Sequence, residues 1–76
     1  MEQRIKNVMA AILDCDVNDI VENSSPDTLS KWDSLGHMNL VVALEEEFGI
    51  VFKEDEIIEM LNYKLIYDTI NNKGVR

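Results

Sequence analysis

Ile5, Val8, Met9, Ile12 and Leu13 recur at i, i+3, i+4, i+7 and i+8, with Arg4, Lys6, Asn7 and Asp14 on the other faces, a spacing that predicts an amphipathic helix over about residues 2 to 14. The pattern then breaks. Residues 15 to 32 are rich in Asp, Asn and Ser and hold the one proline of the chain, Pro26, which reads as a long connection. Val17, Ile20, Val21, Leu29 and Trp32 are apolar enough to pin this loop to a core. From Ser34 to Phe48 there is no proline and Gly36 is the one glycine, so this run is a second helix, with Gly49 as its stop. Glu54, Asp55 and Glu56 open a short third helix, where acids suit the positive end of the dipole, and Ile57, Ile58, Met60 and Leu61 are its apolar set. Asn62 is placed to cap a fourth helix running to about Asn72, with Tyr63, Ile66, Tyr67 and Ile70 at helical spacing. The order predicts an all-α four-helix bundle with a long loop between helices one and two and a short third helix. Its expected core includes Ile5, Val8, Ile12, Leu40, Leu44, Phe48, Phe52, Ile66 and Ile70.

The second helix carries more apolar side chains than one stripe can use. Leu40, Leu44 and Phe48, flanked by Val41, fall on one side and read as the core stripe. Leu35, Met38 and Val42 fall on another, next to Glu45. Two readings are open: a helix buried broadly on two sides, or an exposed apolar patch for partner proteins with Met38 as an adaptable contact. The same helix ends in Glu45, Glu46 and Glu47, which oppose its macrodipole and point to a use for the acids other than helix stability.

Composition narrows what such a bundle can do. Seventy-six residues make a single domain, 1–76, too small for a deep substrate pocket. A formal net charge of -8 argues against nucleic acid and anionic membrane surfaces and favours basic partner proteins. The charge is uneven, with eight acids and only Lys53 as a base between Asp33 and Glu59. Cys15 is the only cysteine, which excludes an internal disulfide and a thiolate metal cluster and fits a reducing cytoplasm. There is no signal-peptide pattern and no apolar run of transmembrane length.

At the start of the second helix stands Lys31-Trp32-Asp33-Ser34-Leu35-Gly36-His37-Met38. Asp and Ser in that place cap helices routinely. Ser34 and His37 at i, i+3 also raise a nucleophilic pair, but there is no Gly-x-Ser-x-Gly elbow and no oxyanion hole, and His37 reads as a partly exposed surface residue. Asp14, Asp16 and Asn18 match the opening of a calcium-binding EF-hand loop, yet Asp19 replaces the required glycine and Ser25 the bidentate glutamate.

Asp33-Ser34-Leu35, followed by Leu40 through Ile50, closely resembles the modification site and second helix of the acyl carrier protein family. The likeness extends to the amphipathic first helix, the polar loop, the acidic third helix and the closing Tyr67-Asp68-Thr69-Ile70-Asn71. The resemblance implies a carrier, not an enzyme, in fatty acid, polyketide or related biosynthesis. It implies that Ser34 bears a covalent 4'-phosphopantetheine arm taken from coenzyme A by a phosphopantetheinyl transferase, Asp33 helping to present it or its metal-bound donor. The arm would carry acyl groups as thioesters among acyl-loading and acyl-processing enzymes with basic docking faces, the carrier itself being a cytoplasmic monomer. Partners are expected on Leu35, Met38, Val42 and Glu45 with Glu54 and Ile57. Gly36 and Asn39 occupy positions that are typically acidic in carriers of fatty acid synthesis, and Trp32 one where a small residue is usual. Trp-Asp-Ser-Leu is closer to carriers of specialised pathways, including aminoacyl or peptidyl carriers. The alternative from another class is an acidic helical interaction module that uses Ser34 only as a cap.

Overall fold

A computed structural model of the chain describes residues 1–74, which form four α-helices: α1 (Glu2–Leu13), α2 (Ser34–Phe48), α3 (Glu54–Glu59) and α4 (Tyr63–Asn72). Local chemistry fixes the ends. Asp14 closes α1 in the left-handed region at φ 52, a conformation that Asp tolerates better than most side chains. Asp33 Oδ1 accepts the Gly36 N–H at 2.8 Å and caps α2, and Gly49 ends it at φ 63, where a side chain would be strained. Asn62 Oδ1 accepts the Leu65 N–H at 2.8 Å and caps α4.

The long loop is not structureless. A single 3-10 turn, Val17–Asp19, follows α1, with the Asp16 carboxylate accepting the Asn18 N–H at 2.8 Å. Ser24 is buried, and its hydroxyl accepts the Val21 N–H at 2.8 Å. The loop then bonds to the start of α4, through Tyr63 N–H to the Ser24 carbonyl at 2.9 Å and Lys64 N–H to the Glu22 carbonyl at 3.1 Å. Ile20 and Trp32 are buried to 1% exposure, so the loop contributes two large side chains to the core; Val21, expected to help, is half-exposed.

The core joins Ile5, Met9 and Leu13 of α1 to Leu40, Val41 and Leu44 of α2 and Ile66 and Ile70 of α4. Phe52 is buried from the α2–α3 connection and Met60 from the end of α3. Three expected core residues lie at the margin instead. α1 turns its Ile5-Met9-Leu13 row inward, at i, i+4 and i+8, which leaves Val8 and Ile12 on the flank, half-buried along a shallow groove with Ala43, Glu46 and Glu47. Phe48 is half-buried because one face of its ring is covered by the Arg4 guanidinium, 4.4 Å from the ring centroid, rather than by core side chains.

Candidate functional site

The first turn of α2 is built by three devices. Asp33 takes up two amide donors, Gly36 N–H with its side chain and His37 N–H with its carbonyl at 2.8 Å. The N–H groups of Ser34 and Leu35 precede the first intrahelical bonds and donate to nothing among the described residues. Gly36 suits a close approach: a Cβ there would meet the Lys31 carbonyl oxygen, so a side chain at this position would require the backbone to shift.

Asp33 is the cap, so Ser34 is not. Ser34 stands at the first helical position, exposed, and its hydroxyl is in none of the hydrogen bonds among the described residues. It opens onto a groove of about 560 Å³ whose other walls include Pro26, Trp32, Met38, Ile58 and Leu61. The setting combines a free hydroxyl, two uncommitted backbone donors and the positive end of a helix of 15 residues, and it suits an anion covalently attached at the oxygen. A flexible arm leaving that oxygen would have an apolar trough beside it.

His37 does not serve Ser34 as a base. Its Nδ1 accepts the Trp32 indole N–H at 2.9 Å and its Nε2 lies 2.8 Å from the Ile57 carbonyl oxygen, so both ring nitrogens are occupied. The sequence indicates a partly exposed histidine, and the ring is half-buried; its two bonds tie the loop, α2 and α3 together. A fully buried tryptophan needs an acceptor for its N–H, and Trp32 followed five residues later by His37 is the only trace of this arrangement in the sequence.

The second apolar side of α2 faces solvent: Leu35 is 71% exposed, Met38 49% and Val42 50%. Broad burial on two sides is therefore excluded, and Ile58 of α3 and Leu61 just beyond its end, 64% and 57% exposed, extend the patch. Ile57 is half-buried, and its carbonyl is the one held by His37. The acids divide into two sets. Glu45 Oε2 accepts the Phe52 N–H at 2.9 Å, Glu47 is held by Arg4 at 2.9 Å, and Glu56 accepts the Lys53 N–H at 2.7 Å and pairs with Lys73 Nζ at 2.7 Å. That amide, then Lys73, holds the Glu56 carboxyl below the usual carboxylate range. Glu46, Glu54, Asp55 and Glu59 enter no such bond among the described residues and are the free part of the acidic stretch.

Comparison with known proteins agrees with this geometry. The family described as "Phosphopantetheine attachment site" matches residues 3–70. The chain is 36% identical over 75 residues to an acyl carrier protein of Buchnera aphidicola subsp. Schizaphis graminum, covering 97% of this chain and 94% of that one. It is 32% identical over 71 residues to an acyl carrier protein of Thermosynechococcus vestitus, covering 93% and 88%. The solution NMR structure of a holo acyl carrier protein from Geobacter metallireducens superposes with a TM-score of 0.83 at 28% identity, covering 96% of this chain and 86% of that one.

Proposed function

The chain belongs to the acyl carrier protein family, whose members carry covalent phosphopantetheine, and from that premise we propose that Ser34 is the attachment residue. The observation that carries the assignment is the unbonded, exposed Ser34 hydroxyl at the first position of α2, with Asp33 already acting as the cap. Ser34 presents its oxygen, the Ser34 and Leu35 N–H groups and the helix dipole favour the resulting phosphodiester anion, and Asp33 fixes the turn that presents it. The thiol at the end of the arm supplies the chemistry when bound, holding acyl groups as thioesters. The chain itself catalyses no step, a reading supported by the occupation of both His37 nitrogens.

Partner enzymes dock, on this reading, across Leu35, Met38 and Val42, with Asp33 and Glu54 providing charge and Glu45 and Ile57 at the rim. A phosphopantetheinyl transferase is the first such partner, and loading and processing enzymes with basic faces follow. Weak, electrostatically steered contacts suit a carrier that must leave each enzyme it visits. No helix among the described residues is long and apolar enough to cross a membrane, and a cytoplasmic monomer fits that and the unpaired Cys15.

Intact-mass measurement tests the assignment. With coenzyme A, Mg²⁺ and a broad-specificity transferase, the protein is expected to gain one phosphopantetheine group and Ser34→Ala none, with its far-UV CD spectrum retained. An unmodified wild type would leave an acidic helical interaction module, and a modified Ala variant would move the site elsewhere.

A further inference from the structure

The bonds from Trp32 to His37 and from His37 to Ile57 have no part in attaching a prosthetic group, yet they surround the place where it attaches. The Trp32 indole N–H can only donate, and it meets His37 Nδ1 at 2.9 Å. The Ile57 carbonyl oxygen can only accept, and it lies 2.8 Å from His37 Nε2. The two neighbours together fix the ring as the neutral tautomer with its proton on Nε2. A protonated ring carries donors at both nitrogens, so Nδ1 would face the indole N–H donor to donor, and a buried donor would be left unpaired.

α3 depends on such contacts. It has six residues, too few to be stable as an isolated helix, and Ile58 is 64% exposed. Met60 anchors its end in the core, and the Glu56–Lys73 pair at 2.7 Å holds one side. His37 holds another and sets how α3 stands beside Ser34 across the groove.

We propose that His37 is a positioning residue for the loading of Ser34: as the neutral Nε2–H tautomer it clasps α3 to the start of α2, and protonation releases that clasp and weakens recognition. The inference rests on the reading that a partner loads Ser34 while docked across α2 and α3. The charged groups on the elements around the ring are Lys31 and Asp33 before α2, and Glu54, Asp55, Glu56 and Glu59 on α3. Asp33 is the only one of these that lines the groove bordered by the ring, and Glu56 is turned to Lys53 and Lys73. Carboxylates attract a protonated ring from a distance, whereas the indole N–H opposes it at contact, and substitution at Trp32 separates the two influences.

NMR of the unmodified protein, with loading kinetics alongside, provides the test. With the ring neutral, the imidazole nitrogen shifts should report the Nε2–H tautomer and the Trp32 indole proton should exchange slowly; as acidification protonates the ring, both signatures and the Ile57 and Ile58 amide shifts should change together. Over the same range kcat/KM for loading Ser34 should fall roughly two- to tenfold, the factor that one net hydrogen bond supplies. His37→Gln can accept from Trp32 and donate to Ile57 without titrating, so it should preserve the α3 amide positions and flatten the profile. Trp32→Phe keeps aromatic bulk but lacks the donor, and should uncouple the ring from the α3 shifts. An Nδ1–H tautomer in the neutral ring, or profiles that coincide for wild type and His37→Gln, would overturn the proposal. A wild type that shows the clasp and its pH-linked change but accepts no prosthetic group at any pH would overturn the attachment of phosphopantetheine at Ser34 instead.

Discussion

The two ends of α2 use similar residues to opposite effect. At the N-terminal end, Leu35, Met38 and Val42 stay exposed and the Ser34 hydroxyl is unbonded among the described residues, while Asp33 and Gly36 shape the turn. At the C-terminal end two of the three glutamates are committed, Glu46 being the exception: Glu45 holds the Phe52 N–H, and Glu47 and its carbonyl are both held by Arg4, each at 2.9 Å. Acids in the last turn oppose the macrodipole, and α2 has no basic residue of its own there; Arg4 reaches across from α1 and supplies the missing cation to an otherwise unpaired carbonyl. Exposed apolar groups thus mark the end at which docking is proposed, whereas the conspicuous triple Glu is in large part internal bracing.

The largest effect expected from this contrast is on stability. Leu44→Ala, at a side chain with no exposure, should destabilise by about 2 to 5 kcal/mol in urea unfolding, whereas Leu35→Ala should stay within about 0.5 kcal/mol. Comparable losses at both sites would erase the distinction between the two sides of the helix. Glu45→Ala comes next: it should cost about 1 kcal/mol through the unpaired Phe52 N–H while changing Ser34 loading less than Met38→Ala does. If Glu45→Ala slowed loading more than Met38→Ala at unchanged stability, the Glu45 carboxylate would be a partner contact first. The smallest effect concerns Glu56. Its folded carboxyl sits below the ordinary range because of the Lys53 N–H and then Lys73, so its stabilisation is present above ordinary carboxylate values and is lost as pH falls through the lowered folded value. Thermal unfolding from neutral to acid pH should therefore decline less steeply in Glu56→Gln, and identical slopes would show that the carboxylate charge contributes nothing there.

Much of this is legible in the sequence. The expected ends of α2 at Ser34 and Gly49 and the Asn62 cap of α4 correspond to the observed ones, because caps and left-handed stops are short-range chemistry written in adjacent residues. The α1 expectation ran one residue long, since Asp14 leaves the helix at φ 52. The core was harder to read. Val8, Ile12 and Phe48 belong to a correct stripe but to its margin, and which edge of a stripe is covered depends on how the neighbouring helix crosses it. Ser34 stood out from its neighbours and family likeness, but not its release from capping duty, which required Asp33 in place.

By itself the sequence determined the helices, their order, the acidic stretch and the family motif at Ser34, all of which depend on residues close together in the chain or on composition. Tertiary structure decided the use of each polar group whose partner is distant: Arg4 with Glu47, 43 residues apart, His37 with Ile57, 20 apart, and Lys73 with Glu56, 17 apart. It also decided that one apolar side of α2 is core and the other is surface. Periodicity records only that a side chain is apolar; burial depends on what packs against it, and in this chain much of that packing is supplied by a loop tryptophan and by helices elsewhere in the sequence.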